Sequence, residues 1–176
     1  WKPPRSAICR RMRWNDRTVI ERWDGSAFTG AKLAALHGDS LLTYRRDNRP
    51  DIPFPGLIDL PGGGREGNES PAECGLRELA EEYGISIPTD RPHFARAYSL
   101  SWNRSVPSWF LAVHLTAAEI AGIRFGDEGE DWRLLPVADF IAHGAAVPHL
   151  QSRVGDYLLA VAEKSGGDDG SKIAVS

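Results

Sequence analysis

Residues 57–85 constrain this chain more than any other stretch. They read as a short strand candidate, Leu57-Ile58-Asp59-Leu60, then Pro61-Gly62-Gly63-Gly64, a polar stretch, and a helix marked at both ends. Ser70 is a residue type whose side chain accepts from helix-start amides, and Pro71 suits the first helical position. Glu73 completes a reciprocal capping box with Ser70, and Gly84 supplies the left-handed residue past the last turn. The spacing therefore predicts a helix over residues 70–83, entered through a glycine turn from a strand. Three consecutive glycines allow positive φ and close approach of a ligand to the backbone, although such a run alone is most often just a turn.

On a helical wheel of about 100° per residue, Ala72, Leu76, Leu79 and Tyr83 share one stripe, which should face a core. Glu78, Glu81 and Glu82 fall on the opposite side as mutual neighbours. Like charges at i,i+3 and i,i+4 cost about 0.2–0.5 kcal/mol per pair. Carboxylates in the last turn also oppose the helix dipole, by about 0.3–1 kcal/mol. On the helix alone two readings stay open. One is a solvated acidic face; the other is a set of carboxylates for a hard divalent cation, which prefers oxygen donors.

Around this segment, residues 31–36 and 40–44 flank His37-Gly38-Asp39 in a hairpin-like pattern. Residues 45–55 hold three prolines and many charges and read as a loop. Residues 93–101, 108–115 and 132–135 read as strands, and residues 137–142 and 150–164 as helices. Strands interleaved with helices imply an α/β layered domain. The expected organisation is an N-terminal arm over 1–25, with Arg5, Arg10, Arg11 and Arg13, a domain over 26–164, and a polar, disordered tail over 165–176. Trp102, Trp109, Phe125 and Trp132 are expected in core packing rather than stacked on a base.

The chain has 176 residues, 41% hydrophobic and 26% charged, enough for one domain with a real core. Its net charge of −3 gives no basic field to favour a nucleic acid polymer. No apolar run is long enough for a membrane span. Cys9 and Cys74 are too few for a disulfide scaffold or a zinc site, which points to a reducing, cytoplasmic compartment. No leader is visible; the chain begins at Trp1, so the natural start stays open. A homodimer is one open option for its assembly.

Residues 63–85 closely resemble the Nudix box, G-x5-E-x7-R-E-U-x-E-E-x-G-U, where U is a bulky aliphatic. The chain supplies Gly63, Glu69, Arg77-Glu78-Leu79, Glu81-Glu82, Gly84 and Ile85, so every fixed position matches. Asn68 stands where many members have glycine, and asparagine tolerates the same left-handed backbone. The resemblance to the Nudix (MutT-like) family implies an α/β/α sandwich with a mixed β-sheet. It implies an enzyme in which water attacks phosphorus within a diphosphate, assisted by Mg²⁺ with Mn²⁺ as a substitute. It further implies that Glu78, Glu81 and Glu82 bind metal, with Glu81 also catalytic, and that the carbonyl of Gly62 or Gly63 completes the shell. Glu69 and Arg77 would form a buried structural ion pair.

Members often place a further catalytic carboxylate in a loop after the box. The cluster Gly126-Asp127-Glu128-Gly129-Glu130-Asp131 offers one, and Glu128, between two glycines, is the candidate general base; a solvated acidic loop is the plainer alternative. The partner expected is a small nucleotide-like substrate. Tyr44-Arg45 and the residues before it only partly follow the coenzyme A pyrophosphatase signature. The proline of the ADP-ribose branch is replaced by Ser101, and Tyr98 comes too early for the dinucleoside polyphosphate branch. A nucleoside triphosphate, standard or oxidised, cleaved to monophosphate and pyrophosphate, is the default. The alternatives are a nucleotide sugar or coenzyme A as substrate, or a non-catalytic nucleotide sensor of the same fold.

Overall fold

The computed structural model describes residues 18–99, 106–126 and 129–166. The strands are β1 (Val19–Ile20), β2 (Ala31–His37), β3 (Ser40–Arg45), β4 (Ile58–Asp59), β5 (Phe94–Tyr98), β6 (Ser108–His114) and β7 (Asp131–Pro136). The helices are α1 (Pro71–Tyr83), α2 (Ala117–Ala121), α3 (Val137–Ala142) and α4 (Pro148–Gly166). The strands form one mixed sheet in the order β1-β5-β6-β2-β3-β4, with β7 also paired to β3. Pairs β1–β5 and β2–β6 are parallel, and the rest are antiparallel.

Period-2 alternation on the central strands builds two cores. On β2, Leu33 and Ala35 pack with Leu76, Leu79 and Tyr83 of α1, while Ala34 and Leu36 pack with Leu150, Val154 and Tyr157 of α4. On β6, Leu111 and Val113 face the α1 side, and Phe110 and Ala112 the α4 side. Strands buried on both faces read as continuous apolar runs, as β2 and β6 do. The result is the α/β layering that the residue pattern implied, in the form of the α/β/α sandwich with a mixed sheet that the resemblance implied. Trp109 lies in the α1-side core, with Phe125 and Trp132 packed against it; Trp102 lies outside the described residues.

Two boundaries differ from expectation. The sequence pattern puts residues 18–25 in the arm, yet β1 lies there, with Val19 beside Phe94 and Ile20 beside Ala95. Edge pairing creates this two-residue strand, which has no local periodicity of its own. Helix α4 continues to Gly166, two residues into the expected tail. The remainder of the arm and tail lie outside the described residues. Among the described residues no helix is long and apolar enough to cross a membrane.

His93, just before β5, and His114, the last residue of β6, stack with ring centroids 4.5 Å apart. His93 Nε2 and the Tyr157 hydroxyl share a hydrogen bond of 3.0 Å. Burial, reinforced by His114, pushes the His93 imidazole down to about 4. A histidine that stays neutral when folded but charges when unfolded leaves stability complete above its ordinary 6.5 and erodes it as pH falls toward 4. The melting temperature of the wild-type chain is therefore expected to fall more steeply from pH 6.5 to 4 than that of His93→Gln. Parallel melting curves for the two chains would remove this role from His93.

Candidate active site

The glycine run follows β4 and inserts its backbone beside the start of β2. The Ala31 amide donates to the Gly63 carbonyl at 3.0 Å, and the Leu33 amide to the Pro61 carbonyl at 2.9 Å. Gly30 and Gly64 form an antiparallel bridge. Gly62 has φ of 122°, and a Cβ there would sit 2.2 Å from the Ala31 carbonyl oxygen. A Cβ on Gly63 would sit 2.5 Å from Oε1 of Glu78. Glycine is thus required at position 62, where neighbouring backbone occupies the space a side chain would take, whereas at position 63 a side chain would displace the Glu78 carboxylate.

Helix α1 starts and stops as the residues dictate. The Glu73 amide donates to Ser70 Oγ at 3.3 Å, and the Ser70 amide donates to Glu73 Oε2 at 2.8 Å. Gly84 takes φ of 69°, and its amide donates to the Ala80 carbonyl. These fixed ends set the rotation of the helix and hence where its carboxylates point.

The acidic side of α1 is not simply solvated, contrary to the wheel. Glu82 is only 7% exposed, and its Oε2 accepts from the Gly62 amide at 3.2 Å. Glu78 lies against Gly63, with its side chain 15% exposed. The wheel describes the helix alone, whereas the inserted glycine loop covers this side of it. Burial raises the Glu82 carboxyl to about 8, opposed by Lys32 and reinforced by Glu78 and Asp59. Burial also raises the Glu78 carboxyl, with Arg77 opposing.

Glu81 turns elsewhere. Its side chain is 59% exposed and accepts from Arg77 Nη1 at 2.8 Å, its i,i+4 neighbour. Arg77 also donates through Nε to Glu69 Oε1 at 2.6 Å and through Nη2 to the Gly64 carbonyl at 2.8 Å. The expected Glu69–Arg77 pair is therefore present and fastens loop to helix. It is partly exposed rather than buried, at 18% and 20% of the side chains, because it lies where the loop meets the outer flank of α1.

The structure thus brings together Gly62, Gly63, Glu78 and Glu82, and Arg77, whose Nη1 pairs with Glu78 Oε1 at 3.0 Å as well as with Glu81, links this group to Glu81 and Glu69. Among the described residues no three His, Cys, Asp or Glu side chains converge as a set for an ion. Of the expected trio, Glu78 and Glu82 lie against the glycine loop, while Glu81, which shares the Arg77 guanidinium with Glu78, turns outward. Glu128 lies outside the described residues. Its flanks do not: the Gly126 amide donates to the Glu82 carbonyl at 2.8 Å, and the Glu130 amide to the Arg45 carbonyl at 2.9 Å. The donor chemistry fits a hard cation, being all oxygen, with the buried Glu82 and the part-buried Glu78 beside glycine carbonyls.

Next to this pair is a buried charge cluster that the sequence reading missed. Asp59, 3% exposed, accepts on Oδ2 from Arg46 Nη1 at 2.6 Å, Lys32 Nζ at 3.0 Å and the Tyr44 hydroxyl at 3.3 Å. Its Oδ1 accepts from the Leu60 amide at 2.7 Å. Burial would raise the Asp59 carboxyl, but Lys32 and Arg46 outweigh it and hold it low. The available signal was a charged residue inside each of two short apolar strands, Lys32 and Asp59. Two clefts, of about 270 Å³ by Trp23 and Pro71 and about 410 Å³ by Glu73 and Ile87, lie away from Glu78 and Glu82.

Residues 28–153 match the family model described as the NUDIX domain. No curated protein matches the chain. Several solved structures are similar. A MutT protein from Methanosarcina mazei Go1 has 16% identity and a TM-score of 0.59, over 84% of this chain and 100% of that one. An Ap4A hydrolase of C. elegans, solved as a binary complex, has 17% identity and a TM-score of 0.56, over 76% of this chain and 98% of that one. The NUDIX domain of Shewanella oneidensis NrtR, complexed with ADP ribose, has 20% identity and a TM-score of 0.52, over 76% of this chain and 89% of that one. At these identities the likeness is one of fold.

Proposed function

The chain belongs to the NUDIX family, whose model spans residues 28–153, and from that premise we propose that it is a pyrophosphohydrolase acting on a nucleoside diphosphate derivative, in the first instance a nucleoside triphosphate, standard or oxidised. The observation that carries this reading is the buried Glu82 beside the part-buried Glu78, both set against Gly62–Gly63. Two carboxylates desolvated side by side oppose folding unless positive charge or a proton offsets them, and Arg77 reaches only Glu78 directly.

In this reading Glu78 and Glu82 hold the cation together with the carbonyl of Gly62 or Gly63, and Glu81, released from Arg77, joins the same site as a ligand and a base-assisting carboxylate. A bound Mg²⁺, with Mn²⁺ as substitute, supplies neutralisation of phosphate charge and a more acidic water. Arg77 keeps the glycine loop in place through Glu69 and Gly64. Lys32, near Glu82, offsets negative charge from the sheet side.

Glu128 is proposed as the general base. The flanking residues leave the C-terminal end of α1 at Gly126 and rejoin the sheet edge at Glu130, whose carboxylate lies 4.0 Å from Arg45 Nε. Glu128→Gln is expected to lower kcat by about 10²–10⁴-fold with little change in KM, while Glu130→Gln stays near wild type. Equal kcat in the two variants at saturating Mg²⁺ would move the role to another carboxylate.

The direct test is a chromatographic product screen with Mg²⁺ and Mn²⁺ over nucleoside triphosphates, nucleotide sugars and coenzyme A, with ADP-ribose and Ap4A added because similar structures carry those names. Metal-dependent appearance of a nucleoside monophosphate or other phosphomonoester product is expected. Tight nucleotide binding without turnover would instead favour a sensor of the same fold.

A further inference from the structure

Arg153 has no part in the chemistry above, yet it is the most deeply placed cation on the α4 side of the sheet. It is 6% exposed. One guanidinium nitrogen donates to Ser108 Oγ at 2.8 Å, and the guanidinium carbon lies 4.6 Å from the centroid of the Tyr98 ring. Among the described residues it forms no ion pair with a carboxylate. Asp156, one turn further along α4, approaches the Tyr98 hydroxyl instead. Residues 100–105, which join β5 to β6, contain neither Asp nor Glu.

A guanidinium keeps its charge under all ordinary conditions, so it cannot escape burial by losing a proton. Burial pushes Arg153 below its ordinary value, and only Tyr98 opposes. Burying a charge without a counter-charge is costly, and proteins seldom tolerate it without a partner that offsets it. A serine hydroxyl and an aromatic face meet the geometry of the group but not its charge. An anion would meet both, and the planar fork of arginine matches phosphate oxygens in pairs.

The position of Arg153 fits a substrate end. Tyr98 pairs with Ser108 across β5–β6. The Trp109 amide donates to the Gly30 carbonyl at 2.9 Å, and Gly30 bridges to Gly64. Ser108 is therefore two strand spacings from the glycine loop, about 10 Å, at the same end of the sheet. Arg153 and Ser108 lie on the α4 face and Glu78 and Glu82 on the α1 face, so a second anionic group at Arg153 would be reached around this end of the sheet, at more than the in-plane spacing.

We propose that Arg153, Ser108 and Tyr98 form an anion subsite that takes a phosphate carried beyond the scissile linkage. The phosphate is either the terminal one of a nucleoside polyphosphate or one borne on the far ribose. The identity of the substrate rests on the hydrolase reading; the existence of the subsite does not.

Titration calorimetry of inorganic phosphate into the metal-free full chain tests the subsite without any turnover. Wild type is expected to bind, Arg153→Met at least about tenfold more weakly, and Arg49→Gln, an exposed arginine paired with Asp51, like wild type. Arg153→Met is expected to melt at or above the wild-type temperature, because it removes a buried charge without a carboxylate. The two phosphate sources separate in kcat/KM ratios, dGTP over dGDP and coenzyme A over dephospho-coenzyme A. A fall of about tenfold in the first ratio in Arg153→Met assigns the terminal phosphate, and in the second the ribose phosphate. Equal phosphate affinity in wild type and Arg153→Met overturns the subsite even where hydrolysis is found. So does a large melting loss in Arg153→Met combined with no phosphate binding by wild type, which makes the residue structural. Absence of turnover on every substrate sinks the hydrolase reading alone, and the phosphate titration still decides the subsite.

Discussion

Glu82→Gln is expected to lower kcat by at least about 10²-fold, and Glu78→Gln similarly, with the fold of each variant intact. Charge neutralisation by a held cation is worth several kcal/mol, and each 1.36 kcal/mol is tenfold in rate. The two side chains are the desolvated carboxylates that touch the glycine loop, so a neutral amide there removes the negative charge a cation needs. The same change has the opposite sign for the metal-free chain. Burial raises the Glu82 carboxyl to about 8, so its charged form is disfavoured in the folded state at neutral pH. Glutamine keeps the shape and removes that burden, and the metal-free melting temperature is expected to hold or rise slightly. Circular dichroism melts in the presence of a chelator, beside initial rates with Mg²⁺, measure both. Wild-type rates in both variants would end the assignment of this pair.

The second large effect is on stability and belongs to Asp59. Replacing Asp59 by Asn leaves Lys32 and Arg46 facing a neutral group in a site where the carboxylate is 3% exposed. Breaking a buried ion pair on one side only costs about 3–5 kcal/mol, because the remaining charge stays desolvated. Removing partners together costs less, since paired neighbours are not additive. Denaturant titrations should therefore show Asp59→Asn far less stable than wild type, with the double variant Lys32→Met/Asp59→Leu recovering part of the loss. A loss below about 1 kcal/mol for Asp59→Asn would mean that solvent reaches the cluster and screens it.

Much of the architecture was legible because it rests on local signals. The capping box Ser70–Glu73 and Gly84 placed α1 to within a residue, and the apolar runs over 31–36 and 108–115 placed β2 and β6. The Glu69–Arg77 pair followed from the family motif rather than from helix physics. What stayed hidden depends on contacts distant in sequence. Glu82 looks solvated on an isolated helix and becomes buried only because residues 61–64 fold over that side. The Lys32–Asp59 contact joins two strands that β3 separates along the chain. Strand β1 exists through its pairing with β5. Helix α2 did carry a readable signal, the box Thr116–Glu119, but its few residues give no periodicity to go with it.

The catalytic claim comes down to which atom the water attacks. Hydrolysis of a cleaved nucleotide substrate in ¹⁸O-labelled water with Mg²⁺, followed by mass analysis of both products, reads that atom directly. The expected result is label on a phosphate product, lost together with turnover when Glu78 and Glu82 are both changed to glutamine. Label on a sugar hydroxyl, or labelled phosphate formed at undiminished rate by the double variant, would contradict phosphorus attack at this site.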